Sequence, residues 1–479
     1  MNAGLSAKNA ALLLAAALLG ITLQMTGGMY SAFGVGMLMI AFAIAVCGMF
    51  IPGKGLSPNP SRLYLLGLVF LQLFAMYFTP SDESLAIAKE PTRTFHAAAI
   101  IVAAMATILV AKGSRKIALA GFLLLLATAG AIGIWRIRTV SQPFIDVFFI
   151  QTEAADSLSH GQNPYAMTFK DIYGANAPYY APGMIKDGRV QYGYPYMPLS
   201  LMVGSVSHWL FGDPRYAYLI SIIATAIMIA MIRPDSLGML MATLFLFTPS
   251  SFHIIQTSWV EPLSAMLLIA TVLSAIRWPR LMPIAFGLLL ASKQYLLAGI
   301  GLAPMFGRRD KWSVAGVATL TASIVTLPLV LWDIKAFLHS AVALHMTMPY
   351  RPDSLSLVAW WGFGQKGWAP PFWLSFAALG AAMTWSYLRI RKGTFGFLLS
   401  FAFCFFTFII LSKQAFLNYY YLIVAAACAA AALENYTSSS ASADKTLSDH
   451  ARILSAYSLH PVDDFGPACA ARGGQPGLA

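Results

Sequence analysis

A train of uncharged apolar runs limits what this chain can fold into. Near 9–27, 30–51, 63–80, 96–111 and 117–135 the sequence holds no Asp, Glu, Lys or Arg. Each run is about long enough to cross a hydrocarbon core ~30 Å thick as a helix, given some tilt and flanking anchors. A backbone in lipid must satisfy its own polar groups, so these runs predict helices and an all-α polytopic membrane protein. Composition agrees: 58% of the 479 residues are hydrophobic and 10% charged, with a mean hydropathy of +0.68. A soluble domain would not carry that on its surface. The net charge of +12 would point to nucleic acid in a soluble protein. Here most Lys and Arg stand in short loops beside apolar runs, so they read as topology signals and contacts to anionic headgroups, with no nucleic acid implied. Cys47, Cys404 and Cys428 lie in apolar runs and Cys469 in a polar tail, so no disulfide framework is expected.

Lys8, Lys54, Arg62, Lys112, Arg115 and Lys116 fall on one side of the first five crossings, which the positive-inside rule makes cytoplasmic. The longest polar interval, Ser141 to Pro198, then emerges on the outer face. Beyond it, runs at 197–212 and 216–232 read as crossings. A half-length or re-entrant helix is expected near 237–249 and a crossing from about 263 to 276. Between the clusters Arg277/Arg280 and Arg308/Arg309/Lys311 a single crossing would break parity, so 281–306 is expected to be a broken pair with Lys293 and Gln294 near its apex. The run 313–331 leads to a second outer loop whose Trp360, Trp361 and Trp368 suit an interface. Runs 370–388, 394–411 and 417–433 follow. The expected architecture is about 12 spans plus half-helices: a four-helix extension over 1–111, a module over 112–434 with outer loops at 136–197 and 333–369, and a disordered cytoplasmic tail over 435–479. SKQ occurs twice, at 292–294 and 412–414, on the same side.

On this topology the outer mouth collects Asp146, Glu153, Asp156, Glu261 and Asp353 as acids and Lys293, His345, Arg351 and Lys413 as cations, with Gln256 near them. Fixed positive charge suits a phosphate leaving group, and a carboxylate at the water edge suits a base for an attacking hydroxyl. Each residue has a plainer use. Asp146 can cap the helix that follows it, Lys293 and Lys413 can snorkel, and Arg351 can pair with Asp353. Glu153 can lie on a solvated helix face. The tyrosines at 165, 173, 179, 180, 192, 194 and 196 can form an interfacial belt or a sugar-stacking surface. The histidines follow no metal-ligand spacing, so no metal site is expected.

An Asp just outside a span, a helix ending in GQNPY and the closure YGYPYMPL together resemble the first outer loop of the GT-C glycosyltransferases. The likeness is strongest to bacterial polyprenyl-phosphate-mannose-dependent mannosyltransferases. TPSSFHIIQTSWVEPL, GLLLASKQYLLAGIGLAP, RPDSLSL and SKQAFLNYYYL follow in the family's order, and residues 1–111 stand upstream of its usual first helix. The resemblance implies a GT-C-like inverting enzyme of the bacterial inner membrane, its site facing the periplasm. It would move mannose or another sugar from a polyprenyl-phosphate donor to a glycolipid or glycan acceptor. Asp146 holds the position of the family's base. Lys293, Arg351, Lys413 and His345 match its grip on the donor phosphate, and Glu153, Tyr194, Gln256, Glu261 and Asp353 fall at substrate-binding positions. No cofactor or metal is implied beyond the lipid-linked sugar as co-substrate. Two rival readings are a secondary transporter or flippase, and a polymerase or ligase using a polyprenyl-diphosphate donor.

Overall fold

The computed structural model describes residues 4–51, 55–78, 90–174, 177, 179–307, 311–364 and 370–433. Lys54, Arg308, Arg309, Trp368 and the tail 435–479, with Cys469 in it, lie outside the described residues. The chain is an all-α membrane protein. Among the described residues six helices are long and apolar enough to cross a bilayer: Ala7–Thr26, Pro58–Phe78, Arg93–Lys112, Arg115–Thr139, Arg215–Ile232 and Trp312–Trp332. Shorter apolar helices run over Ala32–Gly48, Ser236–Leu246, Thr394–Ile410 and Leu417–Leu433. Large apolar side chains stand out from the surface, among them Leu320, Ile324 and Leu331 on one helix, as a lipid-facing wall requires.

Local chemistry sets the helix ends. The Ser6 side chain accepts from the Asn9 N–H at the start of the first helix, and Gly27, in the left-handed region at φ 61°, stops it. Gly28 follows at φ 72°, where an added Cβ would sit 2.4 Å from the Cβ of Leu417. The turn between the first two helices therefore needs glycine twice over, once for its dihedral and once for close approach.

The last helix is the hub. Every residue from 417 to 433 except Tyr419 is buried, and its alanine-rich face lets neighbours come close. Asn9 Nδ2 donates to the Ala431 carbonyl at 2.9 Å, Ser251 Oγ to the Tyr421 hydroxyl at 3.2 Å, and the Tyr420 hydroxyl to the Leu355 carbonyl at 2.6 Å. The first four helices are thus built into the bundle, and residues 1–435 form one compact unit.

Two segments depart from the sequence reading. Pro198–Phe211 has 14 residues, about 21 Å at 1.5 Å per residue, too short to cross. It lies along the helix Asp146–Ser159, with Trp209 Nε1 donating to the Ala155 carbonyl at 3.2 Å and His208 Nε2 2.9 Å from Asp156. The face it buries includes Ser200, Leu201, Gly204, Ser205 and Ser207, while Met202, Val206, Leu210 and Phe211 are exposed. The expected half-helix near 237–249 instead continues, through a break at Thr248–Pro249, into Ser251–Gln256. That brings Gln256 up to Arg136 and Arg215 at the loop end of their helices.

The expected broken pair is present. Met282–Leu290 and the 3-10 helix Gln294–Phe306 turn about Lys293. Phe286 meets Phe306 edge-on at 5.7 Å, and Met305 accepts from the Gly393 N–H. Both limbs therefore start and finish at the same end of the bundle. The first outer loop adds one non-helical feature, an antiparallel ribbon of β1 (Phe169–Lys170), β2 (Ile185–Lys186) and β3 (Arg189–Val190) in the order β1-β3-β2.

Candidate functional site

The mouth begins with a staple that the sequence reading did not single out. Arg215, wholly buried, pairs with Asp213 and donates to the carbonyls of Ile137, Val140, Ser141 and Gln256. The guanidinium thus occupies orphan acceptors at the end of the helix Arg115–Thr139, and it lies 4.7 Å over the Phe148 ring. Five residues after Ser141 the helix Asp146–Ser159 begins, so the staple fixes where Asp146 stands.

Asp146 is the first residue of that helix, and its Oδ1 accepts from the Val147 N–H at 2.8 Å. It therefore does part of a cap's work. Its other partners come from far along the loop: the Tyr180 hydroxyl donates to Oδ2 at 2.9 Å and the Tyr173 hydroxyl to Oδ1 at 3.3 Å. Burial pushes its carboxyl above the usual carboxylate range, opposed by these two hydroxyls, the Val147 N–H and the Arg351 charge. Tyr173 also stacks edge-on with Tyr179 at 4.6 Å, and Tyr179 lies 4.6 Å beneath the Arg351 guanidinium.

Arg351 is held tightly. Its Nε and Nη2 donate to the two oxygens of Asp353 at 2.8 and 2.6 Å, and Phe416 covers its other side at 4.9 Å. The loop bearing this pair is braced twice. Arg351 N–H donates to the Lys413 carbonyl, and Tyr30 N–H, from the Gly27–Gly28 turn, donates to the Asp353 carbonyl at 2.8 Å. Met29 bridges to Ser354 beside it. The N-terminal helices thus reach the mouth, a placement with no signal in the sequence because the partners lie more than three hundred residues apart.

Lys293 sits at the apex of the broken pair. Its Nζ donates to Glu261, and three rings surround it: Tyr419 at 4.6 Å, Tyr196 at 5.3 Å and Tyr295 at 5.8 Å. Glu261 is fully buried and Lys293 nearly so. Next to it Gln294 donates to the carbonyls of Pro195 and Ala341, tying both outer loops to the apex. Tyr196 feels the charges of both Asp146 and Glu261, so the acid of the first loop and the pair at the apex share one neighbourhood.

Of these groups Lys293, Gln294, Tyr295 and Tyr419 border a cavity of about 800 Å³. Its polar end carries Lys293, Gln294, His345, Lys413 and Gln414, so both SKQ copies meet there. The rest is mainly apolar, with Leu297, Ile300, Leu327, Phe372, Phe376 and Phe408, interrupted by Thr319, Ser323, Thr326 and Ser375. Lys413 Nζ donates to the carbonyls of Met346 and Met348 at 3.1 and 2.7 Å, which leaves one of its three donors for a ligand. His345 Nε2 lies 2.8 Å from the Pro195 carbonyl and must donate there. Burial lowers its pKa, followed by the Lys293 and Lys413 charges against the Pro195 bond. The ring is therefore neutral with Nδ1 as an acceptor, which suits a hydroxyl better than a phosphate.

Three other expected site residues stand apart. Glu153, half-buried, answers to burial, Arg189, Asp156 and Lys170 rather than to the cations of the mouth. Tyr194 is wholly buried, bonded to Ser200 and packed on Tyr165. Gln256 accepts from Arg136 at 3.1 Å. Among the described residues no group of three or more His, Cys, Asp or Glu could hold a metal ion. No family model matches this chain, and neither a curated protein nor a solved structure does.

Proposed function

We propose that this protein is an inverting membrane glycosyltransferase of GT-C type that uses a polyprenyl-phosphate-linked sugar, mannose by resemblance, at the outer face of a bacterial inner membrane. One observation carries the reading: a carboxylate held by two tyrosine hydroxyls is linked, through Tyr196, to the lysine end of a largely apolar cavity that carries a second lysine. An isoprenoid chain suits the apolar walls and a phosphodiester suits the lysine end. On this reading the chain crosses the membrane twelve times, counting the broken segment 236–256 as one crossing and the hairpin 282–306 as none; helix ends then alternate without conflict.

In the proposed reaction an acceptor hydroxyl gives its proton to Asp146 as its oxygen attacks the anomeric carbon. The bond from that carbon to the phosphate oxygen breaks, and polyprenyl phosphate leaves with its new charge held by Lys413 and Lys293. Configuration inverts once. The Tyr180 hydroxyl, the Val147 N–H, the Tyr173 hydroxyl and, last, the Arg351 charge favour the ionised form of Asp146 against its burial, and the neutral His345 ring is placed to accept from a sugar hydroxyl.

The test is label transfer from a panel of radiolabelled polyprenyl-phosphate and polyprenyl-diphosphate sugars by the purified protein in proteoliposomes, with EDTA present. Asp146→Asn should lower the rate by about 10²–10⁴-fold while the protein stays folded; near wild-type transfer would remove Asp146 from the chemistry. Transfer from diphosphate donors alone would favour the polymerase or ligase reading. The buried Lys293–Glu261 pair in a broken helix favours a second reading, a transporter, for which uptake into sealed vesicles without covalent change is the sign.

A further inference from the structure

At the opposite end of the bundle, away from Asp146, the starts of three helices enclose a cavity of about 390 Å³ lined by Arg62, Gly113, Arg115, Ala118, Pro234, Asp235, Ser236 and Met239. Its charge balance is one-sided. Arg62 and Arg115 line it, while the one lining acid is already engaged: both Asp235 oxygens accept from Arg233 Nε at 3.0 Å, and Oδ1 also accepts from the Gly238 N–H. Two guanidinium groups thus line the cavity against one carboxylate, and that carboxylate is taken by Arg233.

Two further observations point to an absent anion. Arg62 Nε is buried and has no hydrogen-bond partner among the described residues, a state that costs free energy unless something accepts from it. The 25-residue helix Arg115–Thr139 begins at this cavity with no side-chain hydrogen bond from its cap, Ser114, and no acidic residue in its first turn. The positive end of its dipole therefore lies at this cavity, which Arg115 and Ala118 of its first turn line.

We propose that this cavity is a binding site for a phosphate group, with Arg62 and Arg115 gripping its oxygens and the first turn of the helix Arg115–Thr139 donating to them. The phosphate can belong to an anionic phospholipid headgroup or be free; the chemistry of recognition is the same. Bound there, it ties the helix Pro58–Phe78 to the helices Arg115–Thr139 and Ser236–Leu246. The site is independent of the glycosyltransferase reading, because none of its residues touches the mouth.

The full-length protein is purified and reconstituted in nanodiscs of zwitterionic lipid alone. Inorganic phosphate is titrated with thermal stability as the readout, and an anionic phospholipid is doped in separately and counted on the protein by native mass spectrometry. We expect saturable binding of one phosphate-bearing species per chain, weakened at least tenfold in Arg62→Gln and in Arg115→Gln. Arg280→Gln, an exposed arginine outside the cavity that follows Arg277, should leave it unchanged. Arg115 is exposed, so its variant tests the site even where Arg62→Gln folds poorly. Binding of phosphate assigns a free anion, and retention of the anionic lipid alone assigns a headgroup. No saturable binding of either, or equal weakening by Arg280→Gln, overturns the proposal.

Discussion

Replacing Lys293 should cost more than replacing its partner, although the two share one ion pair. Glu261 is wholly buried and Lys293 is 4% exposed, so breaking the pair strands a charge out of water, at about 3–5 kcal/mol. The two sides are not equivalent, however. Glu261 Oε2 has no hydrogen-bond partner among the described residues, so Lys293→Met leaves the carboxylate without its ammonium. In Glu261→Gln the lysine keeps three rings, each worth about 0.5–2 kcal/mol, and the new amide oxygen can still accept from Nζ. That variant should lose only about 1–3 kcal/mol, the scale of an imperfect buried hydrogen bond. The double change Lys293→Met with Glu261→Met removes both charges and should come within about 1 kcal/mol of wild type. Thermal unfolding of the detergent-solubilised proteins should therefore rank Lys293→Met lowest, Glu261→Gln between, and the double variant near wild type. Equal losses in the single variants, or a double variant no better than Lys293→Met, would refute the reasoning. On the proposed function the double variant should also be stable yet inactive, because it lacks a phosphate donor.

Further outcomes follow from the mouth. The carboxyl of Asp146 is raised by burial, so transfer by ionised Asp146 should rise with pH through a value above the ordinary ~3.9. Tyr180→Phe removes a donor to the ionised form and should move that limb to higher pH; an unmoved limb in the pH–rate profile argues against Asp146 as the titrating group. Gly28→Ala forces a side chain into a left-handed turn and against Leu417, and should lower thermal stability by about 1–3 kcal/mol. In the same variant the Arg351 loop should become more open to hydrogen exchange, and unchanged protection there would mean that the Tyr30 brace carries no load. EDTA should leave transfer unaltered, measured as rate with and without added divalent ions.

Legibility in the sequence followed the range of the interactions. The first five helices were readable because lipid demands an uninterrupted apolar run, and the Lys293 hairpin because two arginine-rich clusters could not both stay on one side otherwise. Pro198–Phe211 was misread as a crossing because its apolar residues match those of a span; its 14-residue length and its packing along Asp146–Ser159 show only in the structure. Asp146 stood out by its position. Tyr173 and Tyr180, 27 and 34 residues further on, could be counted only among the loop's aromatics, since nothing local marks which of seven tyrosines bends back. The same holds for Arg215, three of whose carbonyl acceptors lie 74 to 78 residues upstream.

The bond from Asn9 to Ala431 sets the order of biosynthesis. Its partners are 422 residues apart, which at roughly 5–20 residues per second takes a ribosome about 20–80 s to make. For that whole interval the first helix waits in the bilayer with a polar amide unengaged by its final acceptor. A chain that stops before residue 417 would insert its early helices and never acquire the helix they were shaped to enclose. Early termination should therefore yield membrane-integrated chains that are cleared by quality control, rather than shorter folded proteins with a surviving mouth.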